Sequence, residues 1–379
     1  MKIVLTGGGS GGHFYPLIAV AQQIRALTAE RKLLEPLLYY IGPTPFDAPA
    51  LVELDIIYRK SPAGKVRRYT SLLNFFDIFK TGWGIVRAVF QLFSIYPDII
   101  FSKGGYASFP TVVAARILRI PVVIHESDSV PGRANVWAAS FARAIGIAHP
   151  DAYEAFPAAV QENIALVGNP IRSEIEHPTP EGGHEFLRVD KSVPTIAVFT
   201  GSLGSQTINN VLLDTLLILV EKYNVIHQCG KEHLSWVRSI ADARLRDTRY
   251  ENRYRAFGVL NTLAMRMVAG ITDVIVARAG SSTIFEIAAW GIPSILIPIP
   301  EDVSHDQTKN AFSYARAGAA IVLKQQNLTP HILSAEIDRL MGDEAARASM
   351  RSAAHSFYRP DAAKKMANII LKIALDHTE

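Results

Sequence analysis

The chain has 379 residues, of which 49% are hydrophobic and 20% charged, and its formal net charge is +4. That length exceeds one ordinary core and suits two domains, and the apolar fraction excludes a disordered chain. A single cysteine, Cys229, excludes an intrachain disulfide and a Cys-rich metal site and suits a reducing compartment. The small positive excess permits an anionic ligand or an anionic membrane surface and gives no reason to expect nucleic acid. MKIVLT leads straight into a glycine loop with no signal-peptide pattern. No apolar run reaches the roughly 18 residues of a membrane span. The nearest, 83–101, carries Arg87 and Asp98, so membrane contact is expected to be peripheral.

In chain order, buried strands are expected at 3–6, 37–41, 99–102, 122–125 and 145–148, with helical spacing between them. This alternation predicts a parallel, doubly wound sheet. The pattern restarts at 195–200, followed by the turn Gly201-Ser202-Leu203-Gly204, with further strands at 225–228, 274–277, 294–297 and 320–323. Two glycine turns, each after a first strand, predict two similar domains facing one cleft. The join falls near Gly168-Asn169-Pro170-Ile171-Arg172, because Gly and Pro punctuate chains. The assigned spans are 1–168 and 169–357, with a last helix at about 358–379 packing back on the first domain. The polar stretch 176–189 reads as a surface excursion.

Five motifs carry chemistry. Gly7-Gly8-Gly9-Ser10-Gly11-Gly12-His13 places five glycines between a strand and a helix, so backbone N–H groups can approach a phosphate at a helix N-terminus. No Gly-Lys-Ser/Thr follows, so it is not a Walker A loop. His13, where loop meets helix, is placed to take a proton from an acceptor hydroxyl. His125-Glu126-Ser127-Asp128, followed by Asn135, lies past a strand at the ligand edge of such sheets. Arg278 to Glu286 follows another strand. The amides of Ser281, Ser282 and Thr283 suit a diphosphate, and Glu286, one turn on, suits a ribose diol. Ser304 to Asn310, with Gln307 and Asn310, supplies donors and acceptors for sugar hydroxyls. Finally, Lys65, Arg67 and Arg68 precede an apolar helix. Its positions 72, 76, 79, 83, 86 and 90 form one stripe expected to be core. Phe75 and Ile78 lie off the stripe among basic residues, and such a patch suits anionic headgroups.

These motifs in this order resemble the MurG family of bacterial peptidoglycan glycosyltransferases over nearly the whole chain. The specific marks are GGGSGGHFYP, GGYASFP, HESDSVPGRANVW, VGNPIR, TGSLGSQTINN, HQCGK, ARAGSSTIFEIAAWGIP and HDQTKNA. The resemblance implies an α/β protein of GT-B fold: two Rossmann-like domains whose parallel sheets face a central cleft. It implies inverting transfer of GlcNAc from UDP-GlcNAc to lipid I, an undecaprenyl-diphosphate acceptor, on the cytoplasmic face of the cell membrane, with no cofactor and no metal. By motif, His13 is the base, while Asp128, a departure from the family's Asn, either serves as a second base or weakens binding of an anionic ligand. Ser10, Gly11, Gly12, Arg172, Ser202, Ser281, Ser282, Thr283, Glu286, Gln307 and Asn310 fall on the donor side, and Tyr106, His125, Glu126 and Asn135 on the acceptor side. Backbone groups near 257–260 match those that read the uracil. Lys65, Arg67, Arg68, Phe75, Phe79 and Lys80 fall where the family docks on the membrane.

The chain departs from the family pattern at four points. Asp128 stands where Asn is common, Ser10 where Thr is usual, Leu203 where Gln is common, and Asp306 where some relatives have Gln or His. Two other readings remain: a GT-B enzyme using another lipid or a small-molecule acceptor, and a non-catalytic UDP-sugar-binding scaffold. The presence of both His13 and Glu286 argues against the scaffold.

Overall fold

The computed structural model describes residues 1–64, 72–300 and 305–376. It divides into two compact units, one of Met1–Arg172 with Arg359–Glu379 and one of Ser173–Tyr358.

The first unit is built on β1 (Lys2–Thr6), β2 (Leu37–Gly42), β3 (Ile57–Lys60), β4 (Ile99–Ser102), β5 (Val122–Glu126), β6 (Ala144–Ile147) and β7 (Ile164–Leu166). They form one parallel sheet ordered β3-β2-β1-β4-β5-β6-β7. Its central strands are buried at every position because both faces are covered. Period-two alternation sorts them. Ile3, Leu5, Phe101 and Val123 pack with the helices Gly11–Glu30 and Ala362–Asp376. Val4, Ile100 and Ile124 pack on the opposite face with Leu72–Ile95. The last helix presents Met366, Ala367, Ile370, Leu371 and Ala374 as one buried stripe.

The Leu72–Ile95 helix corrects the sequence expectation. The stripe read as core faces solvent: Phe76 is 67% exposed, Phe79 63%, Trp83 62% and Phe90 70%, and Phe75, Ile78 and Phe93 are exposed as well. The buried face is the narrower row Gly84, Ala88, Leu92 and Ile95, set against the Phe109–Leu118 helix. Small residues make that side a close contact. A Cβ on Gly84 would run into the Pro62 carbonyl.

The second unit repeats the plan with β8 (Thr195–Phe199), β9 (Asn224–Gln228), β10 (Tyr254–Phe257), β11 (Val274–Ala277), β12 (Ser294–Leu296) and β13 (Ala320–Val322). All are parallel, in the order β10-β9-β8-β11-β12-β13. The stretch 176–189 is not a mere surface excursion. Its short helix Gly183–Leu187 packs on Thr262–Ile271, and Leu187 and Val189 join the core around Ala197, Phe199 and Ile226. In both sheets the strand order reverses beside the first strand, between β1 and β4 and between β8 and β11. Ligands of open α/β sheets bind outside the carboxyl ends of the strands at such points.

Candidate active site

At the first switch point three strand ends converge. β1 runs into Gly7–Gly9 with φ values of 152°, 112° and 88°. Gly9 leaves no room for a side chain, because a Cβ there would lie 2.6 Å from the Tyr106 ring. Tyr40 on β2 donates its O–H to Gly7 O at 2.7 Å and holds the loop from below. The Gly11–Glu30 helix begins with Ser10 as N-cap and no side-chain cap bond. The Ser10 hydroxyl instead lies 3.1 Å from His13 Nδ1. The Nε2 edge of His13 faces the Gly104-Gly105-Tyr106 turn after β4, where a Cβ on Gly105 would be 3.5 Å from Nε2. His13 is half-buried. Burial, and then the nearby Lys103 charge, lower its pKa to about 4, so the imidazole is neutral at neutral pH.

The third strand end forms an internal clamp. Glu126 accepts from Asp128 N–H at 3.0 Å through one oxygen, and from Gly132 N–H and Asn135 Nδ2, both at 2.9 Å, through the other. Asn135 Nδ2 also donates to His125 O at 3.2 Å. Burial and Asp128 push the Glu126 pKa up. All three partners are nitrogen donors, however, and they suit the carboxylate. His125 must donate from Nε2 to Gly168 O at 2.8 Å, because a carbonyl only accepts, and burial holds its pKa well below the usual range. His125, Glu126 and Asn135 are thus spent on holding the loop, while Asp128 and Tyr106 keep partial exposure. Arg172 lies in the same unit with its guanidinium 3.7 Å above the Tyr15 ring.

At the second switch point, the Gly201–Ser205 turn and the start of the Ser281–Trp290 helix lie together. Arg278 ties them by donating to Ser205 Oγ at 2.6 Å. The Ser281–Trp290 helix has Gly280 as N-cap and no side-chain cap bond. Gln307, in the His305–Arg316 helix, accepts from Ile299 N–H at 3.2 Å, and its amide nitrogen borders Gly280. Ser202, Ser282, Thr283 and Glu286 are partly exposed, Ser281 and Asn310 are buried, and Leu203 is the exposed tip of the turn. Behind the turn, Asn209 donates to Cys229 O at 3.0 Å and accepts from His227 Nε2 at 3.0 Å. His227 Nδ1 therefore accepts from Tyr254 O–H at 2.9 Å. Phe257 O and Gly258 O accept from Cys229 and Gly230 N–H, and Leu260 N–H donates to Gln228 Oε1 at 3.2 Å, so these groups of 257–260 are engaged internally.

Lys65, Arg67 and Arg68 lie outside the described residues, as do Ser304 and the side chain of Asp306. Phe75, Phe79 and Lys80 are exposed on the Leu72–Ile95 helix. Among the described residues no helix is long and apolar enough to cross a membrane, and no group of three His, Cys, Asp or Glu side chains forms a metal-ligand set. The sequence reading did not single out Lys103, which follows β4 and is fully buried. Burial lowers its pKa to about 8, against the opposing pull of Glu126 and Asp128. Its only signal was its place directly after a strand and before Gly-Gly.

Two family models match the chain in tandem: the glycosyltransferase family 28 N-terminal domain over 3–147 and its C-terminal domain over 195–366. A Treponema denticola protein named UDP-N-acetylglucosamine--N-acetylmuramyl-(pentapeptide) pyrophosphoryl-undecaprenol N-acetylglucosamine transferase is 34% identical over 87% of this chain and 85% of its own length. A Clostridium kluyveri protein of the same name is 33% identical over 98% of this chain and 99% of its own. The crystal structure of Acinetobacter baumannii MurG superposes with a TM-score of 0.71 at 24% identity, covering 98% of this chain and 99% of the other, and shares the GT-B fold. With both domain models matched in order and these relatives alike over nearly their full length, the chain belongs to the MurG branch of glycosyltransferase family 28.

Proposed function

We propose that this protein transfers GlcNAc from UDP-GlcNAc to the C4 hydroxyl of the MurNAc residue of lipid I, with inversion at the anomeric carbon, to give lipid II. The observation that carries the chemistry is His13, a neutral imidazole whose Nδ1 lies against Ser10 and whose Nε2 edge faces the turn after β4. In the tautomer that serves the reaction, Nδ1–H donates to Ser10 Oγ and Nε2 holds the free lone pair. As the acceptor oxygen bonds to the anomeric carbon, its proton passes to Nε2. The bond to UDP breaks on the opposite face, and UDP leaves with the electron pair. Asp128, partly exposed beside this loop, is the second proton-accepting group.

The second unit holds the donor. Ser202 and the amides of Ser281, Ser282 and Thr283 meet the diphosphate at a helix N-terminus, where developing charge is stabilised by fixed dipoles. Glu286 takes the ribose hydroxyls, and Gln307 lies by the sugar with Asn310 behind it. Arg172 and the Gly11–Gly12 amides add positive potential. On the acceptor side Tyr106 meets the sugar, while His125, Glu126 and Asn135 hold the loop in shape.

The acceptor is a lipid, and the reading places the enzyme peripherally at the cytoplasmic face of an anionic membrane. Its support is the exposed row Phe75, Phe76, Phe79, Trp83 and Phe90 beside Lys80. Each such side chain gains about 1.5–3 kcal/mol when buried, so insertion offsets what the fold leaves in water.

The deciding experiment measures transfer of labelled GlcNAc from UDP-GlcNAc in detergent with a metal chelator. Lipid I, diacylglycerol and soluble aglycones are offered as acceptors. Label in lipid II alone is expected. Label on another acceptor, or UDP-GlcNAc binding with no transfer, rejects the reading.

A further inference from the structure

The two switch points share a detail that separates a structural cation from a ligand-seeking one. In each sheet the residue after the crossover strand is cationic, and its backbone N–H donates to the end of the first strand. Lys103 donates to Thr6 O at 2.9 Å and Arg278 to Phe199 O at 3.1 Å. The side chains then part company. Arg278 donates to Ile297 O at 3.1 Å, Pro298 O at 3.2 Å, Ser205 Oγ at 2.6 Å and Gln325 Oε1 at 2.7 Å. Its donors are consumed by the fold. Lys103 is 1% exposed, and its Nζ has no hydrogen-bond partner among the described residues. Neither Glu126 nor Asp128 forms an ion pair with it among the described residues, although both act on its charge.

A buried ammonium carries three donors, and leaving them unmet is costly unless a bound group supplies the acceptors. The surroundings say what that group is. The Lys103 stem lies against the glycine loop, since a Cβ on Gly7 would be 2.9 Å from Lys103 Cβ. Its charge is also felt at His13 and His125. A glycine loop at a helix N-terminus with a point-charge lysine beneath it is the donor set for a phosphoryl group. Asp128 nearby would repel such an anion, and Lys103 offsets it.

We infer that Lys103 is an anion-binding residue of the first unit, and that its ammonium takes a phosphoryl oxygen of the acceptor's diphosphate. This assignment rests on the proposed function for the identity of the acceptor. The donor's diphosphate offers the same chemistry, and kinetics separate the two. In Lys103→Met, with each substrate varied in turn, the acceptor KM rises about 10- to 100-fold, the range for one lost charged hydrogen bond. The donor KM and the UDP affinity stay unchanged. Inorganic pyrophosphate competes with the acceptor in the wild type and loses potency in the variant. An acceptor analogue lacking the diphosphate shows no difference between the two proteins. Lys103→Gln, which keeps a donor without the charge, gives the same pattern and serves if Lys103→Met does not fold.

A rise in donor KM alone, or a fall in kcat with both KM values unchanged, overturns the assignment. The first gives Lys103 to the donor and the second makes it act through His13. If the wild type transfers to no diphosphate lipid, the proposed function falls. Calorimetric titration of pyrophosphate into wild type and Lys103→Met then still decides the site, and equal binding overturns it. Normal transfer with Lys103→Met indistinguishable from wild type removes only Lys103.

Discussion

Gly104→Ala strikes the point where the turn after β4 meets the clamp after β5. Gly104 has φ +80°, and a Cβ there would lie 2.5 Å from Asn135 Nδ2 and 2.6 Å from Oδ1, well inside contact distance. The left-handed backbone costs alanine about 1–2 kcal/mol. Asn135 is 3% exposed and cannot swing to water, so relieving the clash moves its amide off Glu126 Oε2 and His125 O, at 2.9 and 3.2 Å. A lost buried hydrogen bond to a charged group adds about 1.5–3 kcal/mol, and the first unit should lose about 2.5–5 kcal/mol in all. Urea unfolding of Gly104→Ala beside Gly82→Ala measures this. Gly82 is an exposed helical position with nothing within 4 Å of its would-be Cβ, so alanine there stabilises by about 0.5–1 kcal/mol. A Gly104→Ala protein as stable as wild type, with an unchanged acceptor KM, would refute the clamp as the support of this loop.

Acid should weaken both units. Burial lowers His149 to about 4 in the first and His227 to about 3 in the second. The unfolded chain, near 6.5, binds protons that the fold refuses. Stability is therefore full above pH 6.5 and falls with acidification until the folded values are reached, by about 1.4 kcal/mol per pH unit for each histidine. Urea unfolding at pH 7 and pH 5 should show the second unit, with His227, losing about 2 kcal/mol and the first, with His13, His125 and His149, losing more, and equal stabilities at the two pH values would contradict it. Tyr254→Phe leaves His227 Nδ1 buried without its donor and should cost about 1–3 kcal/mol, read by the same unfolding measurement. His13→Ala should lower turnover about 10²- to 10⁴-fold with UDP affinity unchanged, and near-normal turnover would remove His13 from its role. Replacing Phe76, Phe79 and Trp83 together by Ser should weaken binding to anionic phospholipid vesicles by at least about 100-fold in a sedimentation assay. The melting temperature should stay unchanged, because all three are exposed.

The sheets were legible because buried parallel strands are short, mostly apolar runs followed within three residues by glycine, as at Ile99–Ser102 and Val274–Ala277. The strands that escaped notice lack that signal. Ile57–Lys60 is an edge strand with mostly exposed side chains, Ile164–Leu166 has three residues, and Tyr254–Phe257 is broken by Arg255. Helical periodicity found the apolar face of Leu72–Ile95 and assigned it to the wrong neighbour. Periodicity reports that a face is apolar but not what covers it, and here the covered side is marked by Gly84 and Ala88, which carry little hydrophobic weight. The glycine loop, His13 and the Ser281–Trp290 helix start could be read from spacing alone. The inward turn of His125, Glu126 and Asn135 could not, because burial at a strand end depends on how the following loop folds back. Lys103 escaped for a plainer reason: one lysine makes no pattern, and its isolation becomes visible only when its surroundings are known.

The route of the backbone has a consequence for synthesis. The second unit is one uninterrupted stretch, whereas the first leaves off at Arg172 and is completed by Arg359 onward. Until the helix bearing Ile370 and Leu371 has emerged from the ribosome, the sides of the Gly11–Glu30 helix and of Ile99–Ser102 that it covers stay bare. The later-made half can thus be finished while the earlier-made half still waits, and that waiting surface is what a chaperone would hold on the nascent chain.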